Sequence, residues 1–173
     1  MMKRRRRLRA RGAHWGPGAS IVPRESYAAG GSELAVTPFR ILEHTADIGF
    51  EALGASREEV FANAARALFH IIVDADSVEP WETVSVHVEG ADPPSLLVNW
   101  LSELLYLQDA EGWLFRDFTV NSLADTSLAA VARGETRDPA RHQLKLLVKA
   151  VTYHQLRLEQ TAAGWRAQVY VDI

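Results

Sequence analysis

Between residues 56 and 72, apolar side chains recur at the spacing that places them on one face of an α-helix. The residues of this face are Val60, Phe61, Ala64, Ala65, Leu68, Phe69 and Ile72. Ser56 precedes them, and Glu59 follows Ser56 at the spacing of a capping box, so we expect the helix to begin there. A helix with one apolar face has to bury that face against another element.

The segments around this helix predict a second helix and several β-strands. The second helix follows Asp92, Pro93 and Pro94, and its inward-facing residues are Leu96, Leu97, Trp100, Leu101, Leu104, Leu105 and Leu107. Strands are predicted at residues 39–44, 48–54, 82–90, 113–120, 127–133, 146–160 and 164–173. This order of elements predicts an α+β fold for residues 38–173, a single domain in which two helices pack on one face of a mixed or antiparallel sheet.

Charge divides the chain into two unlike parts. Residues 1–37 contain eight Lys or Arg and two Glu, and their net charge is +6. Because this part lacks apolar periodicity, we interpret it as a disordered basic extension, with a nucleic-acid-binding tail or a targeting arm as alternatives. The remaining residues contain 11 Lys or Arg and 20 Asp or Glu, which gives −9. A surface with this negative charge does not favour direct binding to phosphates. It favours binding of a divalent metal or of a basic protein partner.

Several functional classes are excluded by what the sequence lacks. There is no cysteine, which excludes disulfides, thiolate zinc sites and thiol nucleophiles. No glycine-rich phosphate loop, G-x-G-x-x-G fingerprint, H-E-x-x-H motif or G-x-S-x-G motif is present. No apolar run is as long as a membrane span. We therefore expect a soluble cytoplasmic protein that does not bind membranes.

The end of the chain predicts a binding site for a cation. The last predicted strand places Asp172 beside the α-carboxylate of Ile173, and two anions so close repel each other unless a cation lies between them. Asp47, in the break between the first two strands, is a further candidate ligand if the sheet brings the two segments together. The alternative is an aspartate that only forms a turn. Oxygen ligands of this kind suit Ca²⁺ or Mg²⁺.

Two histidines lie inside compact polar clusters and are candidates for a functional role. His44 belongs to the sequence EHTAD, and His154 belongs to KAVTYH. His70 lies in the first predicted helix and His87 in an alternating strand, where a structural role is expected.

Three motifs, in this order along the chain, resemble the archease family. They are EHTADIGFEALGASREEVFANAARALFHIIVD, VKAVTYHQL, and a C-terminal GW followed after one residue by AQVYVDI. The resemblance extends from Phe39 to Ile173. The basic extension lies outside the family pattern, and residues 121–141 match it only loosely.

The resemblance implies a function and a set of site residues. Archeases are non-catalytic accessory proteins of the GTP-dependent RNA-splicing ligase, whose guanylylation and multiple turnover they promote in tRNA splicing and RNA joining. The metal site of the family, seen with calcium, corresponds to Asp47, Asp172 and Ile173. An important lysine of the family corresponds to Lys149. The expected cofactor is therefore Ca²⁺, with Mg²⁺ or Mn²⁺ as alternatives.

The expected partner is the ligase, and RNA is expected to reach this protein only through the ligase. His44 and His154 are further candidates for a role in activation. Two other functions stay open at this point. One is a metal-dependent hydrolase, in which Asp47 and Asp172 hold the metal and His154 is the general base. The other is a general chaperone or an adaptor for RNA-modifying enzymes.

Removal of residues 1–37 is expected to leave both stability and ligase activation unchanged, because this segment has neither apolar periodicity nor a place in the family pattern. The check is a melting curve and an activation assay on the full chain and on a chain that begins near Thr37. A clear loss of activation on truncation would instead favour the nucleic-acid-binding tail.

Overall fold

The computed structural model describes residues 38–43 and 48–173. Within that part, the strands are β1 (Phe39–Glu43), β2 (Ile48–Gly54), β3 (Glu82–Glu89), β4 (Trp113–Leu123), β5 (Ser127–Thr136), β6 (Ala150–Thr161) and β7 (Gly164–Asp172). The helices are α1 (Arg57–Ile72) and α2 (Pro93–Glu111), and a short 3-10 helix spans Ala75–Ser77. None of the helices in the described residues has the length and apolar character needed to cross a membrane. The predicted basic extension, residues 1–37, lies outside the described residues.

The strands form two antiparallel sheets. The four-stranded sheet has the order β1-β2-β7-β6, and the three-stranded sheet has the order β3-β5-β4. Every strand pair in both sheets is antiparallel. The predicted α+β class and the antiparallel pairing are therefore confirmed, but the strands divide between two sheets where the sequence predicted one.

Helix α1 explains why two sheets are needed. Besides the predicted stripe, Ala62, Ala67 and Ile71 are also buried, so apolar surface covers most of the helix. A helix that is apolar on more than one side needs an apolar partner on each side. Helix α1 packs against β1, β2 and β7 of the four-stranded sheet and against β4 of the three-stranded sheet. Helix α2 likewise contacts both sheets, through β6 on one side and β3, β4 and β5 on the other.

The start of α1 differs in detail from the predicted capping box. The hydroxyl of Ser56 accepts a hydrogen bond from the backbone N–H of Glu59 at 3.2 Å, as predicted. The carboxylate of Glu59 accepts from the N–H of Ala55 at 2.7 Å, one residue before the position that a capping box requires. The Ser56 hydroxyl satisfies one free N–H of the first turn and Ser56 is the N-cap of α1, so the predicted start position is correct.

Helix α2 has a complete capping box that the sequence analysis did not predict. The carboxylate of Asp92 accepts from the N–H of Ser95 at 2.7 Å, and the hydroxyl of Ser95 accepts from the N–H of Asp92 at 3.0 Å. Gly112 ends the helix with a left-handed φ of 76°, a conformation that glycine adopts without strain. Local residues therefore fix both ends of α2.

Strand β6 begins later than the sequence predicts, at Ala150 instead of residue 146. Leu144 forms an isolated bridge with Val73, and the N–H of Lys145 donates to the carbonyl of Ile72 at 2.8 Å. These contacts hold the preceding segment at the end of α1. The chain consequently joins β7 only from Lys149 onward.

A buried carboxylate joins the end of β5 to the segment that follows it. The carboxylate of Glu135 accepts hydrogen bonds from the guanidinium of Arg141 and from the backbone N–H of Glu79, the latter at 2.8 Å. It also lies 3.1 Å from Nε2 of His142. Nδ1 of the same imidazole accepts from the N–H of Asp138 at 2.9 Å. The hydrogen bond from Arg141, together with the other donors, lowers the pKa of Glu135 from 4.5 to about 2 although burial opposes this.

Replacing Glu135 with glutamine is expected to lower the free energy of unfolding by about 1–3 kcal/mol at pH 7, because charged hydrogen bonds become neutral ones. The folded-state pKa lies below the ordinary value, so this stabilisation is complete above pH 4.5 and is lost as the pH falls towards 2. Urea titrations at several pH values should therefore show the difference between Glu135→Gln and wild type shrinking below pH 4.5. The matched control is Glu82→Gln at an exposed position of β3. A difference that stayed constant with pH would contradict the assignment.

Candidate functional site

The last strand of the chain lies in the interior of the four-stranded sheet. Val171 is fully buried and pairs with Ile48 of β2 on one side and with Val151 of β6 on the other. Asp172 then pairs with Ala150, and its side chain is exposed. Strand β7 is consequently held by neighbours on both sides up to Val171, and Asp172 is held by β6.

Lys149 is brought directly to this end of the chain. Its backbone N–H donates to the carbonyl of Asp172 at 2.8 Å, and its ammonium group donates to the backbone oxygen of Ile173 at 2.9 Å. Two residues that lie 24 positions apart in sequence therefore meet at one point. We refer to Lys149, Asp172 and Ile173 as the C-terminal tip.

Asp47 and His44, the other two residues predicted from the EHTAD motif, lie outside the described residues. The described chain enters β2 at Ile48, whose partner Val171 is the residue before Asp172. In the part of the chain that the structure describes, no three His, Asp or Glu side chains are grouped closely enough to hold a metal.

The groups present at the C-terminal tip fit a hard cation. Asp172 contributes an exposed carboxylate, and Ile173 contributes a backbone oxygen that already interacts with a positive charge, the ammonium of Lys149. Oxygen donors without nitrogen or sulfur are the ligands that Ca²⁺ and Mg²⁺ prefer. The interaction with Lys149 also shows that this oxygen is placed to accept from a cation.

Tyr170 and Gly49 shape the outer face of the sheet beside the C-terminal tip. Gly49 is the strand partner of Tyr170, and a Cβ atom at Gly49 would lie only 2.7 Å from Cε1 of the Tyr170 ring. Only a glycine allows the ring to lie this close to the strand. Neither residue was predicted from the sequence, although a glycine inside a strand indicates close approach of another group.

His154 lies beside Tyr170 on the same outer face. Its ring is 5.8 Å from the ring of Tyr170, in an edge-to-face arrangement. Its backbone N–H donates to the hydroxyl of Thr152 at 3.3 Å. Among the described residues, no hydrogen bond or ion pair connects His154 to Asp172 or Lys149.

A β-bulge in β6 sets the position of His154. Thr152 pairs with Tyr170 and Arg157 pairs with Gln168, so the four residues between Thr152 and Arg157 stand opposite a single residue of β7. Gln155 within the bulge has a left-handed φ of 49°, which is uncommon for a residue with a side chain. The sequence pattern predicts an uninterrupted strand here, because no glycine or proline marks the bulge.

The sequence of the whole described part is similar to known proteins. Residues 39–173 match the profile of the Archease protein family (MTH1598/TM1083). Protein archease of Methanosarcina mazei is 47% identical over 139 residues, which cover 78% of this chain and 95% of that protein. Protein archease of Pyrococcus abyssi is 47% identical over 135 residues, which cover 76% of this chain and 95% of that protein.

The fold is also similar to solved structures. The solution structure of protein 1598 of Methanobacterium thermoautotrophicum superposes with a TM-score of 0.67 at 33% identity, covering 79% of this chain and 99% of that one. The crystal structure of an archease of Thermotoga maritima, described as a possible chaperone, gives a TM-score of 0.52 at 20% identity, which supports the fold alone. Since the family profile matches from β1 to the last residue and the relatives align over nearly their full length, the chain belongs to the archease family.

Proposed function

We propose that this protein is a non-catalytic activator of a GTP-dependent RNA-splicing ligase, whose guanylylation and multiple turnover it promotes. The observation that carries the proposal is the contact between Lys149 and Ile173, because it joins two of the three motifs of the archease resemblance at one point. Membership of the archease family supports the same function. RNA would then be bound by the ligase and would reach this protein only indirectly.

The proposed site consists of the C-terminal tip together with Asp47. Asp172, Ile173 and Asp47 would hold a divalent cation, with Ca²⁺ favoured and Mg²⁺ or Mn²⁺ as alternatives. When bound, the cation would neutralise the carboxylates and give the tip a fixed arrangement. Lys149 keeps its positive charge at the edge of the site, on the Ile173 oxygen, where it is available to a partner.

His44 and His154 are proposed to contribute to the surface that meets the ligase, beside the metal site and not within it. For His154 this agrees with its exposed position over Tyr170 on the outer face of the sheet. His44 lies outside the described residues, and its role rests on the EHTAD motif.

The hydrolase alternative receives less support. It requires His154 to act as a general base on water at the metal, and a base has to lie within hydrogen-bonding reach of that water, directly or through one other water. His154 instead packs against Tyr170 and bonds within the β6 bulge. Incubating the purified protein and metal with RNA and nucleotides alone tests this alternative, since product formed without ligase would establish hydrolysis.

Replacing Lys149 with alanine is expected to reduce activation of the ligase by about tenfold or more while changing the melting temperature little, because the side chain is exposed and its one hydrogen bond among the described residues is to the Ile173 oxygen. The measurement is the rate of formation of the ligase–GMP adduct with GTP and a limiting amount of this protein.

The matched control for Lys149→Ala is Lys145→Ala. Lys145 is also an exposed lysine, but its ammonium donates to the carbonyl of His70 at 3.3 Å and not to a residue of the C-terminal tip. The proposal predicts that only the Lys149 variant slows adduct formation. Equal rates for both variants and wild type would refute a role for Lys149.

Millimolar Ca²⁺ is expected to stabilise the protein by about 1–3 kcal/mol, seen as a rise of several degrees in melting temperature, because the cation binds the folded chain alone. Asp47→Asn, Asp172→Asn and a Gly-Ser extension after Ile173 should each remove this rise. Each change takes a carboxylate charge away from the proposed site.

Two controls accompany the metal experiment. Asp76→Asn removes a carboxylate that is 92% exposed and lies 3.7 Å from Arg116, outside the tip, and the rise should persist. The same Gly-Ser extension placed before Met1 should also leave it unchanged. If the protein extended at Ile173 still gains full stabilisation from Ca²⁺, the terminal carboxylate is not a ligand.

A further inference from the structure

A groove of about 430 Å³ runs beside the C-terminal tip, between helix α2 and the segment that leads into β6. One wall consists of α2 residues that include Tyr106 and Asp109, and the other consists of residues 147–151. Lys149 belongs to this second wall and at the same time bonds to Ile173. The groove and the C-terminal tip are therefore continuous with each other.

Large apolar side chains are left exposed on both walls of the groove. Tyr106 on α2 is 58% exposed, and Leu147 on the opposite wall is 60% exposed. Single exposed apolar residues scattered over a surface are normal, but two that face each other across one groove form a patch. An apolar side chain of another molecule placed between them would remove both from water.

The charge of the α2 wall defines what kind of molecule fits. Helix α2 contains no Lys or Arg between Pro93 and Glu111. Glu103 and Asp109 lie three residues before and three residues after Tyr106, so both carboxylates lie near the ring on the helix surface. Of these two residues, Asp109 lines the groove, and the ammonium of Lys149 on the opposite wall already bonds to the Ile173 oxygen. The carboxylates of the α2 wall therefore disfavour the phosphates of a nucleic acid or the anionic headgroups of a membrane, and they attract Lys or Arg.

From these features we infer that the groove binds a protein segment in which an apolar side chain is followed or preceded by Lys or Arg, and that this segment belongs to the ligase. The apolar side chain lies between Tyr106 and Leu147, and the basic side chain pairs with Asp109. The assignment to the ligase rests on the proposed function. It follows from the continuity of the groove with Lys149, since a partner seated in the groove meets the C-terminal tip with the same surface.

Three variants of the full chain test this inference: Tyr106→Ala, Leu147→Ala and Asp109→Lys. All three positions are exposed, so the variants are expected to fold with unchanged melting temperature. Each should weaken the affinity for the purified ligase by at least about tenfold, as central contacts of an interface do. The loss for Asp109→Lys should be greatest at low salt, because charge reversal acts mainly through long-range attraction. Tyr106→Phe, which keeps the ring, should retain affinity.

Trp81→Ala and Glu82→Lys are the matched controls. Trp81 is 74% exposed and precedes β3, and Glu82 begins that strand, so neither lines the groove. Both controls should bind the ligase like wild type. The Ca²⁺-dependent rise in melting temperature should be the same in all groove variants as in wild type, which separates loss of docking from damage to the C-terminal tip.

The possible outcomes distinguish the inference from the function on which it rests. Loss of ligase binding in the groove variants alone supports the inference. Wild-type affinity in all three groove variants, with a wild-type protein that binds and activates the ligase, overturns the inference and leaves the proposed function standing. A wild-type protein that neither binds nor activates the ligase overturns both. A change in self-association measured by gel filtration, without a change in ligase binding, assigns the groove to a second copy of this chain and overturns the inference.

Discussion

Strand β7 lies between β2 and β6, and the position of every described candidate residue depends on that pairing. The ladder with β6 sets Lys149 opposite the end of the chain, where its backbone N–H and its ammonium both bond to the last two residues. The ladder with β2 places Ile48, and with it the chain that follows the EHTAD motif, beside Val171. The burial of Val169 and Val171 on the inner face stabilises both ladders. Strand β7 is thus supported along both edges as far as Val171, the residue before Asp172.

The elements that could be predicted from the sequence are those whose signal is local. The apolar stripe of α1, the apolar residues of α2 and the alternation in β3 and β7 each lie within one short segment, and the structure has these elements where the sequence predicts them. The position of Asp172 and Ile173 at the end of β7 could also be predicted locally, because both residues directly follow an alternating apolar pattern. The archease resemblance added Lys149 to this set, and residue spacing alone would not have done so.

The features that could not be predicted depend on contacts between distant segments. The division into two sheets results from the pairing of β2 with β7 and of β3 with β5. These strands are distant in sequence, and no local pattern specifies which of them pair. The late start of β6 depends on the bridge between Leu144 and Val73, which lie far apart in sequence. The β6 bulge contains the sequence YHQL, with none of the glycine or proline that usually marks an interruption. The exposed position of Leu147, which the apolar run at residues 146–148 gave no reason to expect, follows from the same late start.

Lys149 takes part in two effects that oppose each other at the C-terminal tip. Its ammonium lies on the Ile173 oxygen, so it reduces the repulsion between the carboxylates of the tip when no other cation is present. If a divalent cation binds there as proposed, the same positive charge would repel it by roughly 2 kcal/mol at a separation of about 5 Å in a water-like environment. If neutralisation were the only role of Lys149, its loss would strengthen cation binding and the tip would work at least as well. If Lys149 instead contacts the ligase, as proposed, its loss would strengthen cation binding and would still reduce activation. A Lys149 variant that binds the cation more tightly but activates the ligase less would therefore show that this lysine acts on the partner. A variant that binds more tightly and activates equally well would show that the lysine only neutralises charge.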